Sequence, residues 1–244
     1  MFYVELLSVT RKAAVFASWL IVALFVNIAV WKLAHVKTPH DVKISLDVVW
    51  ACASIAASVF ASILGCTLAS ENDGHLPVAW TKPFSRVTHA LAKFAIDLGA
   101  VAAIFAFTCG IVFVYNGVTG LSADLFVPAD VGEQLARFII APFAFFGLMQ
   151  ALTSTLSRQA GMVVGFTWVG LVAIIVLSIV RLPAPFHAIV GFLDYANPLA
   201  YIAFAVDDNG TVITYGLSAA ALTLALIATI GGAAAIYRWQ RSEA

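Results

Sequence analysis

Two charged residues interrupt one of the longest apolar runs of this 244-residue chain. Lys93 and Asp97 stand four apart within Ala90–Tyr115, and on a helix that spacing puts both on one face. A charge inside a lipid-spanning segment costs about 2.5–3.5 kcal/mol on insertion scales, so it marks either a function or a partner. Two chemistries fit. One is an i,i+4 ion pair whose ends reach the headgroup region. The other is a substrate or proton site on a transport path. Asn27 and Gln150 lie in other apolar runs. Their amides suit hydrogen bonding between helices. With Asp97 they are the candidate pathway residues.

A second constellation is polar. The stretch SENDGHLPVAWTKPFSR, Ser70–Arg86, separates two apolar runs. Asp73-Gly74 is a turn signal. Leu76, Trp80 and Phe84 follow at i, i+4 and i+8, one face of a short helix. Pro77 fits its first turn and Pro83 ends it. Ser85 is an N-cap for the next helix, with Arg86 behind it. Glu71 and Asp73 make an acidic entry, Lys82 and Arg86 a basic exit. Such a helix either presses its apolar face into a partner's groove or rests on lipid. Packed helices need only about 2–8 connecting residues, so this loop is long for a connector.

Other chemistries leave no trace in the residues. No H-E-x-x-H, G-x-S-x-G or G-x-x-x-x-G-K-[ST] occurs, so neither a zinc protease, a serine hydrolase nor a P-loop ATP site is expected. Cys52, Cys66 and Cys109 all fall in apolar runs and read as small buried side chains, without metal or disulfide spacing. His35 and His40 flank a Lys-Thr-Pro turn, and no further ligand accompanies them at a fixed spacing. No metal is expected.

The elements that carry these residues follow from composition. The chain is 62% hydrophobic and 11% charged, with a mean hydropathy of +0.99. A soluble domain carries roughly 25% charged residues, so this chain needs lipid as solvent. Thirteen basic and thirteen acidic residues give no net charge, which argues against nucleic acid as a partner. Spanning takes about 20 apolar residues. Six runs qualify: 13–31, 46–69, 90–115, 138–156, 162–180 and 212–237. The expected fold is an all-α integral membrane bundle of six spans, a single domain over 1–244.

Shorter apolar pieces complete it. Phe2–Leu7 has the composition of an interfacial helix before the first span. His187–Leu193 and Pro198–Val206, broken by prolines, are too short to cross and read as interfacial or re-entrant helices. With the N-terminus inside, Arg11, Lys12, Lys82, Arg86, Lys93, Arg158, Arg238 and Arg241 fall on the inner side. Lys32, Lys37, Lys43, Arg137 and Arg181 fall on the outer side. The excess predicts that both termini and the 70–86 loop are cytoplasmic.

The order Glu71, Gly74, Pro83, Ser85, Arg86, Lys93 after a second span resembles the loop motif of ABC-2 type transporter permeases. His75 departs from the family's usual threonine. Tyr195-Ala196-Asn197-Pro198-Leu199 resembles that family's N-P-L segment. The architecture is similar along the whole chain. The resemblance implies a coupling helix at 70–86 that docks on a separate ATPase subunit, with ATP bound there and not here. It implies a homodimer or heterodimer of permeases in a bacterial inner membrane, usually exporting. A membrane-embedded carrier or enzyme, or a structural subunit of a membrane complex, are the other classes open to such a chain.

Overall fold

A computed structural model describes residues 2–33, 46–71, 86–119, 131–156, 158–180, 183–202 and 217–241. Among these every regular element is a helix: α1 (Phe2–Leu33), α2 (Leu46–Leu64), α3 (Thr67–Glu71), α4 (Arg86–Thr119), α5 (Val131–Thr153), α6 (Ala160–Ile179), α7 (Ala184–Tyr195) and α8 (Leu217–Arg241). Six stretches are long and apolar enough to cross a membrane: Tyr3–Val30, Val48–Ala69, Val87–Thr119, Leu135–Thr153, Ala160–Ser178 and Ala220–Arg241. They mark a multi-pass membrane protein. Residues 212–216 of the last expected span lie outside the described residues.

The first helix differs from expectation. Phe2–Leu7 is not a separate interfacial element but the opening turns of α1. No glycine or proline occurs between Phe2 and Leu33, so nothing breaks the backbone ladder. Thirty-two residues rise about 48 Å, well beyond a hydrocarbon core of roughly 30 Å. The surplus carries the first turns past the apolar layer.

Two spans are inner and the rest surround them. The spanning windows of α2 and α5 are 61% and 56% buried, against 0% for α1 and 11% for α6. α5 packs most extensively on α8, and also on α2; α2 in turn packs on α4, and α4 on α1. Along the α5–α8 seam, backbones touch. A Cβ at Gly147 would lie 2.5 Å from the carbonyl oxygen of Ala228, and one at Gly231 would lie 2.5 Å from the carbonyl carbon of Gly147. Only glycine permits that approach, the small-residue packing that joins helices in lipid. Arg238 closes the seam. Its Nη1 donates to Ala151 O at 2.8 Å and its Nη2 to Thr155 Oγ1 at 3.0 Å, which satisfies an orphan carbonyl at the end of α5.

Cross-helix bonds set the directions. Glu5 meets Lys93, Asp97 meets Thr67, and Thr153 meets Gly65. The starts of α1 and α4 and the ends of α2, α5 and α8 therefore gather at one end of the bundle.

Near the other end, the piece expected at His187–Leu193 lies within α7, whose first residue, Ala184, sits between Pro183 and Pro185. The piece expected at Pro198–Val206 is not a helix as far as Ile202; it is a succession of turns, and 203–206 lie outside the described residues. The side chain of Asn197 accounts for the turns. Its Oδ1 accepts from the Leu199 N–H at 2.9 Å, and its Nδ2 donates to Leu171 O on α6 at 3.0 Å. An asparagine bonded to the backbone two residues on favours a turn over a helix.

Candidate functional site

Two of the three polar candidates, Asp97 and Gln150, converge where α2 breaks. Gly65 and Cys66 form a turn between α2 and α3. A break in a spanning helix frees carbonyls that lipid cannot satisfy, at several kcal/mol for each. Here α5 supplies the donors. Gln150 Nε2 donates to Leu64 O at 3.1 Å and to Thr67 Oγ1 at 2.8 Å. One turn further, Thr153 Oγ1 lies 2.6 Å from Gly65 O and 2.8 Å from Met149 O, sharing one proton between them. Gly65 makes the approach possible, since a Cβ there would collide with the Cβ of Met149.

The network then crosses to α4. Thr67 Oγ1 donates to Asp97 Oδ2 at 2.9 Å. Asp97 and Gln150 are fully buried. Each retains a buried acceptor, Oδ1 and Oε1 respectively, with no hydrogen-bond partner among the described residues. One turn before Asp97, the buried Lys93 reaches Glu5 of α1, Nζ to Oε2 at 3.3 Å. Lys93, Lys12 and Glu5 all act electrostatically on Asp97, so two acids and two bases share one neighbourhood. On the remaining side, Trp168 of α6 donates from Nε1 to Ser62 Oγ at 3.1 Å and stacks on Phe145, centroids 4.8 Å apart.

The expected pair of Lys93 and Asp97 thus faces inward. The two do not close an ion pair with each other along one helix. Lys93 turns to α1 and Asp97 to α3, because their shared helix face packs on α1 and α2. Of the three pathway candidates, the structure joins Asp97 and Gln150 through Thr67. Asn27 stands apart. It is exposed on α1 and donates to Ala23 O of its own helix at 2.7 Å.

The coupling candidates stand differently. Gly74, Leu76, Trp80, Pro83, Phe84 and Ser85 lie outside the described residues. Glu71 is placed only as the last residue of α3, and Arg86 only as the first of α4. His89 faces Trp239, ring centroids 6.2 Å apart, and His187 is exposed on α7. Among the described residues no group of three or more His, Cys, Asp or Glu converges.

Gly65, Thr67, Thr153 and Glu5 complete the cluster without having been singled out in the sequence. Their signal was present but weak. Gln150 and Thr153 stand three apart, the spacing of one helix face, and Gly65-Cys66-Thr67 is a small, poorly helical triplet. Comparison with family models, curated proteins and solved structures gives no match for this chain.

Proposed function

We propose that this chain is the membrane-spanning permease subunit of an ATP-driven exporter of the ABC-2 type, energised by a separate ATPase subunit that docks on residues 70–86. The observation that carries this reading is the clasped break between α2 and α3. A loop that transmits force needs both of its stems anchored. One stem, α3, is bonded through Thr67 to α4 and α5. The other, the first turns of α4, is bonded through Lys93 to α1. A push on the segment between them is passed to four spans.

In this reading Leu76, Trp80 and Phe84 form the docking face, Gly74, Pro83 and Ser85 shape it, and Glu71 and Arg86 orient the partner. Asp97 and Gln150 hold the stem; they do not touch cargo. Two permease copies, identical or related, assemble with two ATPase subunits. The clasped end of the bundle faces the cytoplasm of a bacterial inner membrane. Burying a tryptophan in a partner's groove is worth enough that Trp80→Ala weakens ATPase binding roughly tenfold or more. The tagged chain and its ATPase are purified together from native membranes, with Trp80→Ala set against Asn72→Ala. Loss of the ATPase in the first alone is expected; equal retention in both overturns the assignment.

A second reading, an ion-driven carrier, rests on one observation: the unpartnered Oδ1 of the buried Asp97. The two separate cleanly. Uphill transport by the purified chain alone in proteoliposomes under a proton or sodium gradient, abolished by Asp97→Asn, establishes the carrier and removes the permease.

A further inference from the structure

Helix α1 carries residues 11, 12, 15, 16 and 19 along one side, recurring a turn apart. Against Phe60 and Ile63 of α2 this stripe bounds an open groove of about 390 Å³. Ligand sites run from roughly 300 to 1,000 Å³. The lining of the groove is almost wholly apolar, with Phe16, Trp19, Phe60 and Ile63 among it and the two bases, Arg11 and Lys12, flanking one end. The rings of Phe16 and Phe60, 5.1 Å apart, close its inner wall. Trp19, 69% exposed, stands at its outer edge.

The depth of the groove follows from the sequence of α1. No charge falls between Lys12 and Lys32. Those intervening residues rise about 28 Å, matching a hydrocarbon core of roughly 30 Å. Arg11 and Lys12 therefore stand at one headgroup layer, and the groove descends from Arg11 to Trp19 about 12 Å into the apolar layer. Neither base closes an ion pair within 4 Å among the described residues: Glu5 is engaged by Lys93 at 3.3 Å, and Lys12 acts on the buried Asp97 only through space.

We infer that this groove binds an anionic phospholipid, its phosphate on Arg11 and Lys12 and one acyl chain along Phe16, Trp19, Phe60 and Ile63. A free phosphate leaves the apolar length unused. A choline lipid brings its own cation to a site that already holds two. Each base near an anionic headgroup is worth roughly fivefold in affinity, and both together roughly thirtyfold. The inference is independent of what the chain transports.

The test uses the purified full-length chain in mixed micelles and two lipids with identical brominated chains, phosphatidylglycerol and phosphatidylcholine. Bromine quenches tryptophan at short range. The chain has six tryptophans, so Trp19→Phe reports which part of the signal comes from the groove. Phosphatidylglycerol is expected to quench at lower concentration than phosphatidylcholine. Trp19→Phe removes that difference, and Arg11→Gln/Lys12→Gln raises the phosphatidylglycerol concentration needed roughly thirtyfold. Equal quenching by the two lipids overturns the inference. So does a preference that survives in the double variant, or one unchanged in Trp19→Phe. Should the double variant fail to accumulate, Trp19→Phe decides alone, since that side chain lies at the surface.

Discussion

Helix α5 is held on two sides by opposite means. Toward α8 it offers bare backbone along most of its length: Gly147 lies against Ala228 and Gly231 in van der Waals contact, and only at the end of the seam does Arg238 add hydrogen bonds. Toward α2 and α3 it offers donors: Gln150 and Thr153 bond Leu64 O, Thr67 and Gly65 O. Lipid gives helices no hydrophobic reason to associate, so close packing and hydrogen bonding are the two means left. The seam with α8 depends on shape, and a single methyl group violates it. The contact with α2 depends on polar groups that a helix break has exposed, and it tolerates changes of shape better than loss of a donor.

Three measurements would break or sharpen this contrast. The largest effect is expected at the seam. Gly231→Leu places a side chain against the Gly147 backbone, which no rotamer change relieves. A loss of about 3 kcal/mol is expected, the upper part of the usual cost of overpacking. Reversible unfolding in mixed micelles measures it, with Gly165→Leu as the matched control because an added Cβ there meets nothing within 4 Å. Similar losses in both variants would show that the seam is not the cause.

The donor side should lose less. Gln150→Leu keeps the bulk but strips Leu64 O and Thr67 of their donor, for an expected cost of about 1–2 kcal/mol. A double-mutant cycle with Thr67→Val should return a coupling of at least about 0.5 kcal/mol, since the two share one bond. Additive effects would mean that the clasp is not a unit.

The smallest effect lies off both contacts. Burial raises the Asp194 carboxyl on α7 above its ordinary value, and its Oδ1 has no hydrogen-bond partner among the described residues. The folded chain therefore holds this proton more tightly than the unfolded one. The stability it lends is full below the unfolded value of about 3.9 and is lost as pH rises through the raised folded value. Asp194→Asn should match the parent at the acid end of a thermal melting series and exceed it slightly at neutral pH. A constant offset at every pH would refute the titration.

Long runs of apolar residues made the spans readable, because lipid punishes any other arrangement. Asp97 and Gln150 were legible as polar exceptions to that rule. What joins them was not. The partners of Gln150 are backbone carbonyls released by a break at Gly65-Cys66, and carbonyls have no residue type to read. Lys93 and Asp97 looked like partners because spacing along one helix is visible in a sequence. Glu5 and Thr67, which they meet, lie far away along the chain, and only packing brings them close. The start of α1 was misjudged for a simpler reason. Arg11 and Lys12 suggested a boundary, but charge alone does not interrupt a helix without proline or glycine.

The peripheral place of α1 bears on how the chain is made. This helix leans chiefly on α4, which begins more than fifty residues after α1 ends. During synthesis α1 therefore leaves the insertion machinery before its main support exists, and waits in the bilayer alone. Its backbone is satisfied within itself, and between Lys12 and Lys32 the stretch is uncharged, with Ser18 and Asn27 bonded to carbonyls of their own helix, so the wait carries little penalty. Glu5 waits with it at the membrane surface until Lys93 arrives. The ion pair is then a late latch, closed only once the chain has crossed the membrane for the third time.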